Sequence, residues 1–148
     1  MIGRVCIAEE EGRITQVLLG KDPVPPEAEH GETALLKEAF RQLDEYLSGE
    51  RKTFDLPLAP AGTPYQRKVW QALLKIPYGT TASYKEVAAQ TGNAKAARAV
   101  GMANNRNPIP IFIPCHRVIG ADGQLVGYGC GLDLKRRLLE LEGWRGTA

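Results

Sequence analysis

Apolar and polar positions divide the chain into recognisable elements. Val5-Cys6-Ile7-Ala8 and Ile14-Thr15-Gln16-Val17-Leu18-Leu19 read as two short strands, joined as a hairpin by the polar stretch Glu9 to Arg13 with Gly12. Lys21 to Gly31 carries Pro23, Pro25 and Pro26 among several acids, which is a loop composition. Leu36, Phe40, Leu43 and Leu47 then recur at helical spacing, and Ser48-Gly49 ends the helix they predict. Phe54, Leu56 and Leu58 alternate like a third strand, interrupted by Pro57 and by the Pro60-Ala61-Gly62 breaker. A lobe boundary follows: 1–60 is expected to be a small N-terminal α/β lobe, a short antiparallel sheet plus a helix, and 61–148 a second domain.

The second domain reads as mostly helical. Thr63-Pro64 pairs an N-cap with a first-turn proline, and Val69, Trp70, Leu73, Leu74 and Ile76 form the expected buried face up to Pro77-Tyr78-Gly79. Ser83 and Glu86 stand at capping-box separation and start a helix that runs to about Gln90. Thr91-Gly92-Asn93 turns the chain, and Ala94 to about Asn104 predicts a further helix. Together they make a helix-turn-helix pattern, within an α+β fold whose second domain is winged-helix-like. Ile111-Phe112-Ile113 reads as a short apolar strand after Asn107-Pro108-Ile109-Pro110. Gly127 to Gly131 is a glycine-rich loop, and Asp133 caps a last helix whose Leu134, Leu138 and Leu141 face inward until Gly143.

Charge changes this picture. The net +2 hides a division: residues 1–57 hold twelve acids against seven bases, net −5, and the remainder is net +7. Either the basic half meets a polyanion or the surface is unevenly charged. No stretch approaches the ~20 apolar residues of a membrane helix. Glu9, Glu10 and Glu11 stand where a signal peptide would be apolar. Three cysteines do not read as a disulfide framework, so a reducing cytoplasm is expected.

Two features carry candidate chemistry. In the second helix of the pair, Ala94, Ala96, Ala97, Ala99, Gly101 and Ala103 leave Arg98 projecting from little bulk. Such a helix suits a close approach to a duplex with one arginine inserted, or tight packing within the lobe. Pro114-Cys115-His116-Arg117 is the sharper signal. A thiol reacts as thiolate, and a neighbouring base and cation make one, so Cys115 is either a nucleophile served by His116 and Arg117 or a buried core residue. Cys6, Cys115, His116 and Cys130 lack the short paired spacings of a zinc site, so no metal is expected.

Pro114 to Arg117, with Asn107-Pro108 and Ala96-Ala97-Arg98-Ala99-Val100-Gly101 before them, resembles the O6-alkylguanine-DNA alkyltransferase family, from about Thr63 to Gly143. The resemblance implies direct DNA repair: the damaged guanine is flipped from the stack and its alkyl group passes once, irreversibly, to a cysteine. By position, Cys115 is the acceptor, His116 and Glu142 draw off its proton through water, Tyr84 helps protonate the departing guanine, and Asn107 buttresses the turn. Arg98 fills the gap left by the base, with Ala97, Ser83 and Tyr84 beside it at the DNA. Val118, Tyr128, Gly129 and Cys130 line the pocket. The resemblance further implies a monomer acting without cofactor on double-stranded DNA containing O6-alkylguanine.

One departure stands out. The family commonly follows the loop tyrosine with serine and glycine, where this chain has Gly129-Cys130. A hydroxyl donor to the guanine oxygen is thereby lost, and Cys130 either narrows the pocket mouth against bulky alkyl groups, places a second thiol near Cys115, or is a simple substitution at a tolerant loop position. Three other readings compete: a lesion-binding adaptor that does not react, a helix-turn-helix regulator, and a cysteine hydrolase. The adaptor's relatives lack the cysteine that Cys115 supplies, a single arginine is poor equipment for reading sequence, and a hydrolase needs turnover.

Overall fold

The computed structural model describes residues 5–19, 31, 33–120, 123 and 131–144. It divides into two compact units, Met1–Ala61 and Gly62–Ala148.

In the first unit, β1 (Val5–Glu10) and β2 (Arg13–Leu19) pair antiparallel with Ile7 opposite Val17. Glu11 (φ 53°) and Gly12 (φ 77°) make the turn, with the positive φ at both corners that tight hairpins favour. Helix α1 (Ala34–Leu47) starts at Thr33, whose hydroxyl accepts from the Leu36 amide at 3.1 Å. It packs on β1. Its buried residues are Ala39, Gln42, Leu43 and Tyr46, so the inward stripe is rotated from the expected one and Phe40 stays exposed.

The expected strand through Phe54, Leu56 and Leu58 does not form. Gln42 accepts from the Asp55 amide at 2.9 Å and donates to its carbonyl at 3.2 Å. Farther on, only a single bridge joins Leu58 to Ile14. A side-chain amide has taken the place of a neighbouring strand, which satisfies the backbone without a ladder. Phe54 reaches the core instead through the Tyr46 ring, 5.2 Å between centroids.

The second unit opens with three helices that pack on one another. Helix α2 (Pro64–Leu73) opens with a capping box between Thr63 and Gln66 and carries proline in its first turn. Val69, Trp70, Ala72 and Leu73 face inward, as does Ile76 beyond the helix; Leu74, expected with them, is exposed because it lies one position off the stripe. Trp70 is almost fully enclosed and its indole N–H donates to the Ala103 carbonyl at 2.9 Å, fixing α2 against the helix that follows. Truncating such an aromatic to alanine costs about 3–5 kcal/mol.

Strand β3 (Ala82–Ser83) leads into α3 (Tyr84–Gln90), and α4 (Ala97–Asn105) packs against both α2 and α3. The turn between α3 and α4 is a Schellman motif: Gly92 (φ 102°) donates to Ala89 and Asn93 to Ala88. Asn93 then caps a further turn, with its side chain accepting from the Lys95 amide at 3.0 Å. That turn uses up 94–96, so α4 begins three residues later than the alanine run suggests.

After α4 the chain forms a one-turn 3-10 helix (Cys115–Arg117), β4 (Val118–Ile119), which pairs parallel with β3, and α5 (Leu132–Leu141). Helix α5 starts at Gly131 without a side-chain cap. Asp133, expected to cap it, lies within the first turn and pairs with Arg137 at 3.2 Å. Its enclosed residues are Lys135, Leu138 and Leu139, while Leu134 and Leu141 are half-buried. Among the described residues, no helix is long and apolar enough to cross a membrane.

Candidate active site

The site begins with a backbone that cannot be regular. Ile111-Phe112-Ile113, expected as a strand, is a tight reversal: Ile113 donates back to the Ile109 carbonyl at 3.0 Å and Ile111 sits at φ 75°. A β-branched residue in that region costs about 1–3 kcal/mol and persists only where its surroundings enforce it. Asn107 is the enforcing group. Its amide nitrogen donates to Ile113 O and its oxygen accepts from Ile109 N, both at 3.0 Å. Pro108 and Pro110 have no N–H to offer, so the asparagine amide supplies hydrogen bonds that the main chain lacks.

Cys115 follows at the start of the one-turn helix, 3% exposed. On a strand Cys115 and His116 would point apart; the turn removes that difficulty. The Cys115 carbonyl accepts from the Val118 amide and, at 3.3 Å, from Asn104 of α4. Asn104 was not foreseen. It ties the helix bearing Arg98 directly to the cysteine's own backbone.

His116 is fully buried, with Nε2 2.7 Å from Glu142 Oε2. Arg117 donates to both oxygens of the same carboxylate, Nε to Oε1 at 2.8 Å and Nη2 to Oε2 at 3.0 Å, and its Nη1 donates to Ile76 O at 2.7 Å. The Gly79 amide adds a longer contact to Oε1 at 3.3 Å. Glu142 is placed by the end of α5, a Schellman motif in which Gly143 (φ 97°) donates to Glu140 and Trp144 to Leu139. Burial holds the His116 pKa below the ordinary imidazole value, with Glu142 pulling the other way and Arg117 and Lys135 adding to the depression. Its resting form is therefore the neutral ring with a proton on the nitrogen that faces Glu142.

Arg117, expected to serve Cys115, is bound instead to Glu142. Lys135, unnoticed in the sequence, is fully enclosed with Nζ 5.9 Å from the centroid of the Tyr84 ring. Burial lowers its pKa to about 8, and the charge on Cys115 works against that shift. The signal that would have found it is register: Lys135, Leu138 and Glu142 share one helical stripe. Tyr84 is half-buried at the start of α3, its hydroxyl pKa raised by burial first and the Cys115 charge second. A Cβ built on Gly101 would stand 3.7 Å from that ring, so the small residues of α4 also serve packing inside the unit.

The remaining expected residues fall in different places. Arg98 is exposed on α4, and Ala97 is its half-buried first residue. Ser83 accepts from the Glu86 amide at 3.0 Å as the N-cap of α3. Val118 is buried opposite Ala82 on β3. Tyr128, Gly129 and Cys130 lie outside the described residues. Among the described residues, no three of His, Cys, Asp and Glu converge as a metal site would require.

Comparison with known proteins bears on the whole chain. Residues 64–144 match the family model for the 6-O-methylguanine DNA methyltransferase DNA-binding domain, and residues 1–60 match its ribonuclease-like domain. The methylated-DNA–protein-cysteine methyltransferase of Bacillus subtilis, the constitutive form, is 52% identical over 95% of this chain and 90% of its own. Its namesake from Methanosarcina acetivorans is also 52% identical, over 96% of this chain and 93% of its own. The crystal structure of Mycobacterium tuberculosis OGT in complex with DNA superposes with a TM-score of 0.89 at 46% identity, covering 95% of this chain and 87% of that one. The chain belongs to the methylated-DNA–protein-cysteine methyltransferase family.

Proposed function

We infer that this protein repairs O6-alkylguanine in duplex DNA by moving the alkyl group irreversibly onto Cys115, one group per molecule. The observation that carries the assignment is the buried Cys115-His116 turn with Glu142 held against His116 Nε2 at 2.7 Å. Glu142 fixes the tautomer, which makes Nδ1 the basic nitrogen of the ring. The thiol proton passes through water to Nδ1, and the imidazolium so formed is stabilised by the Glu142 carboxylate. The sulfur then attacks the alkyl carbon in line. The S–C bond forms as the C–O6 bond breaks, and guanine leaves with its electron pair, taking a proton with help from Tyr84. The product is a neutral thioether, which no group in the site can hydrolyse, so the molecule acts once.

Placement supports part of the remaining assignment, and the resemblance to the family supplies the rest. Exposed Arg98 projects from a helix with little bulk around it and occupies the gap left by the flipped base, with Ala97, Ser83 and Tyr84 near the DNA. Asn107 holds the strained reversal before Cys115, and Val118 with the loop at Tyr128, Gly129 and Cys130 forms the pocket. A thiol that must stay reduced to react suits the cytoplasm.

The test is the mass of the intact protein and of its peptides after mixing with duplex DNA carrying O6-methylguanine. One methyl group on the Cys115 peptide, saturating at one per molecule, is the expected result; tight lesion binding with no added mass would overturn it in favour of a non-reacting adaptor. In the same assay Arg98→Ala slows transfer from duplex DNA but not from free O6-methylguanine. Equal loss on both substrates would remove Arg98 from the flipping step.

A further inference from the structure

A buried side-chain amide is costly unless its polar atoms are met, so the partner it finds says what holds it there. Asn104 lies in the last turn of α4 and is 1% exposed. Its Nδ2 donates to the Cys115 carbonyl at 3.3 Å, and its enclosed Oδ1 meets no hydrogen-bond partner among the described residues. An apolar side chain of similar size would avoid that cost, so packing alone does not account for the asparagine. The helix is fixed at this point, because the neighbouring Ala103 carbonyl accepts from the enclosed Trp70 indole at 2.9 Å. Asn104 therefore holds Cys115 from a firm base.

The bonds around the cysteine divide into two kinds. Asn107 donates to Ile113 O, which also accepts from the Cys115 amide at 2.7 Å, and the Val118 amide donates to the Cys115 carbonyl. These stay within the segment and shape the turn without placing it. His116 and Arg117 tie the turn to Glu142 and to Ile76. Asn104 ties it to α4, on which the exposed Arg98 stands six residues earlier, about 9 Å along the helix axis.

We propose that Asn104 is a positioning residue that sets the register between the Cys115 sulfur and the helix that meets DNA. The inference rests on Cys115 being the alkyl acceptor and α4 the DNA-facing helix. In-line attack needs the reacting atoms aligned and about 3–3.5 Å apart. A flipped guanine stays attached to its strand, and the strand is held by α4, so its alkyl carbon arrives where α4 puts it. The sulfur arrives where the Cys115 turn puts it, and Asn104 joins the two. A free base carries no strand and settles against the sulfur wherever the turn leaves it. The proton path through His116 and Glu142 does not pass through Asn104, so the thiol's own reactivity is separate from this role.

Asn104→Leu tests this, since it removes the donor and the enclosed oxygen at similar volume. The Cys115 carbonyl keeps the Val118 amide, so the substitution strands no acceptor. Three rates are compared between the wild type and the variant: methyl transfer from saturating duplex DNA carrying O6-methylguanine, transfer from free O6-methylguanine, and modification of Cys115 by iodoacetamide. Misplacing the reacting atoms by a fraction of an ångström costs on the order of 10-fold. Duplex transfer therefore falls about 10-fold at unchanged duplex affinity, while the other two rates stay near their wild-type values. Equal duplex transfer in both proteins would overturn the proposal. So would a fall shared by all three rates, which is what a general loosening of the site produces. If Asn104→Leu does not fold, Asn104→Ala, equally without a donor, is read in the same way. A wild type that takes no methyl group from either substrate would overturn the repair assignment and this inference with it, whereas the wrong pattern in the variant alone overturns only the role of Asn104.

Discussion

Among the described residues, two arginine–carboxylate networks have nearly the same distances and opposite surroundings. In the first unit Arg41 bridges Glu38 and Glu45 along α1, and Arg51 reaches Glu45 at 2.9 Å. In the second Arg117 and His116 converge on Glu142 at 2.8 and 2.7 Å. Arg41 leaves 54% of its side chain in water, whereas Glu142 and His116 leave none. Distance alone would rank the networks as equals. Burial separates them, because a water-exposed pair trades one set of favourable contacts for another, and a buried one has no alternative partner when broken.

Glu142→Gln is the sharpest way to test that difference. It leaves the Arg117 guanidinium buried with no carboxylate and deprives His116 of the group that fixes its tautomer. Loss of one partner from a buried pair costs about 3–5 kcal/mol, and alkyl transfer should fall with it. Urea denaturation gives the first number and the methyl-transfer rate the second. A variant as stable as the wild type would mean that burial does not set the worth of these networks.

The contrast also explains what the sequence disclosed and what it hid. The N-cap at Thr63, the capping box at Ser83, the glycines that end α1, α3 and α5, and the Cys115-His116 pair were legible because each is written in a few adjacent residues. The strand expected at Phe54 to Leu58 failed because Gln42, thirteen residues before Asp55, supplies its hydrogen bonds. Ile111 to Ile113 looked like a strand because apolar composition does not report φ; only Asn107 and two prolines hinted at a reversal. Arg117 stood next to the cysteine in sequence and was expected beside the sulfur. The fold turns it to Glu142 and encloses Lys135 of α5 over the Tyr84 ring. Chemistry carried by neighbours in the chain was readable, and chemistry assembled by packing was not.

Acid provides the second test. His116 has a folded pKa below its unfolded value, so the unfolded chain binds the extra proton first as pH falls. Its contribution is constant well above the ordinary imidazole pKa of about 6.5 and erodes below it, by at most about 1.4 kcal/mol per pH unit for one proton. Urea midpoints measured from pH 8 to pH 5 should therefore decline on the acid side, and His116→Gln should flatten that decline. A decline of the same slope in His116→Gln would place the acid-sensitive group elsewhere.

The smallest expected effect is the most instructive one. Arg41 and Gln42 hold the Glu38 carboxyl at about 2, well below the usual carboxylate range. Taken alone, a folded pKa below the unfolded one implies stability that is present above the unfolded pKa of about 4.5 and lost as pH falls toward the folded value. Glu38 and Arg41 are both open to solvent, however, and water competes for each of them in the folded and unfolded chain alike. Arg41→Ala should therefore raise the Glu38 titration, followed by NMR, toward the ordinary value, with Gln42 still restraining part of the rise. The urea midpoint at pH 7 should stay within the scatter of the wild type. A loss of stability approaching that of Glu142→Gln would erase the distinction between the two networks. A titration that moves while the midpoint stays still would show that the surface network tunes a proton without holding the fold.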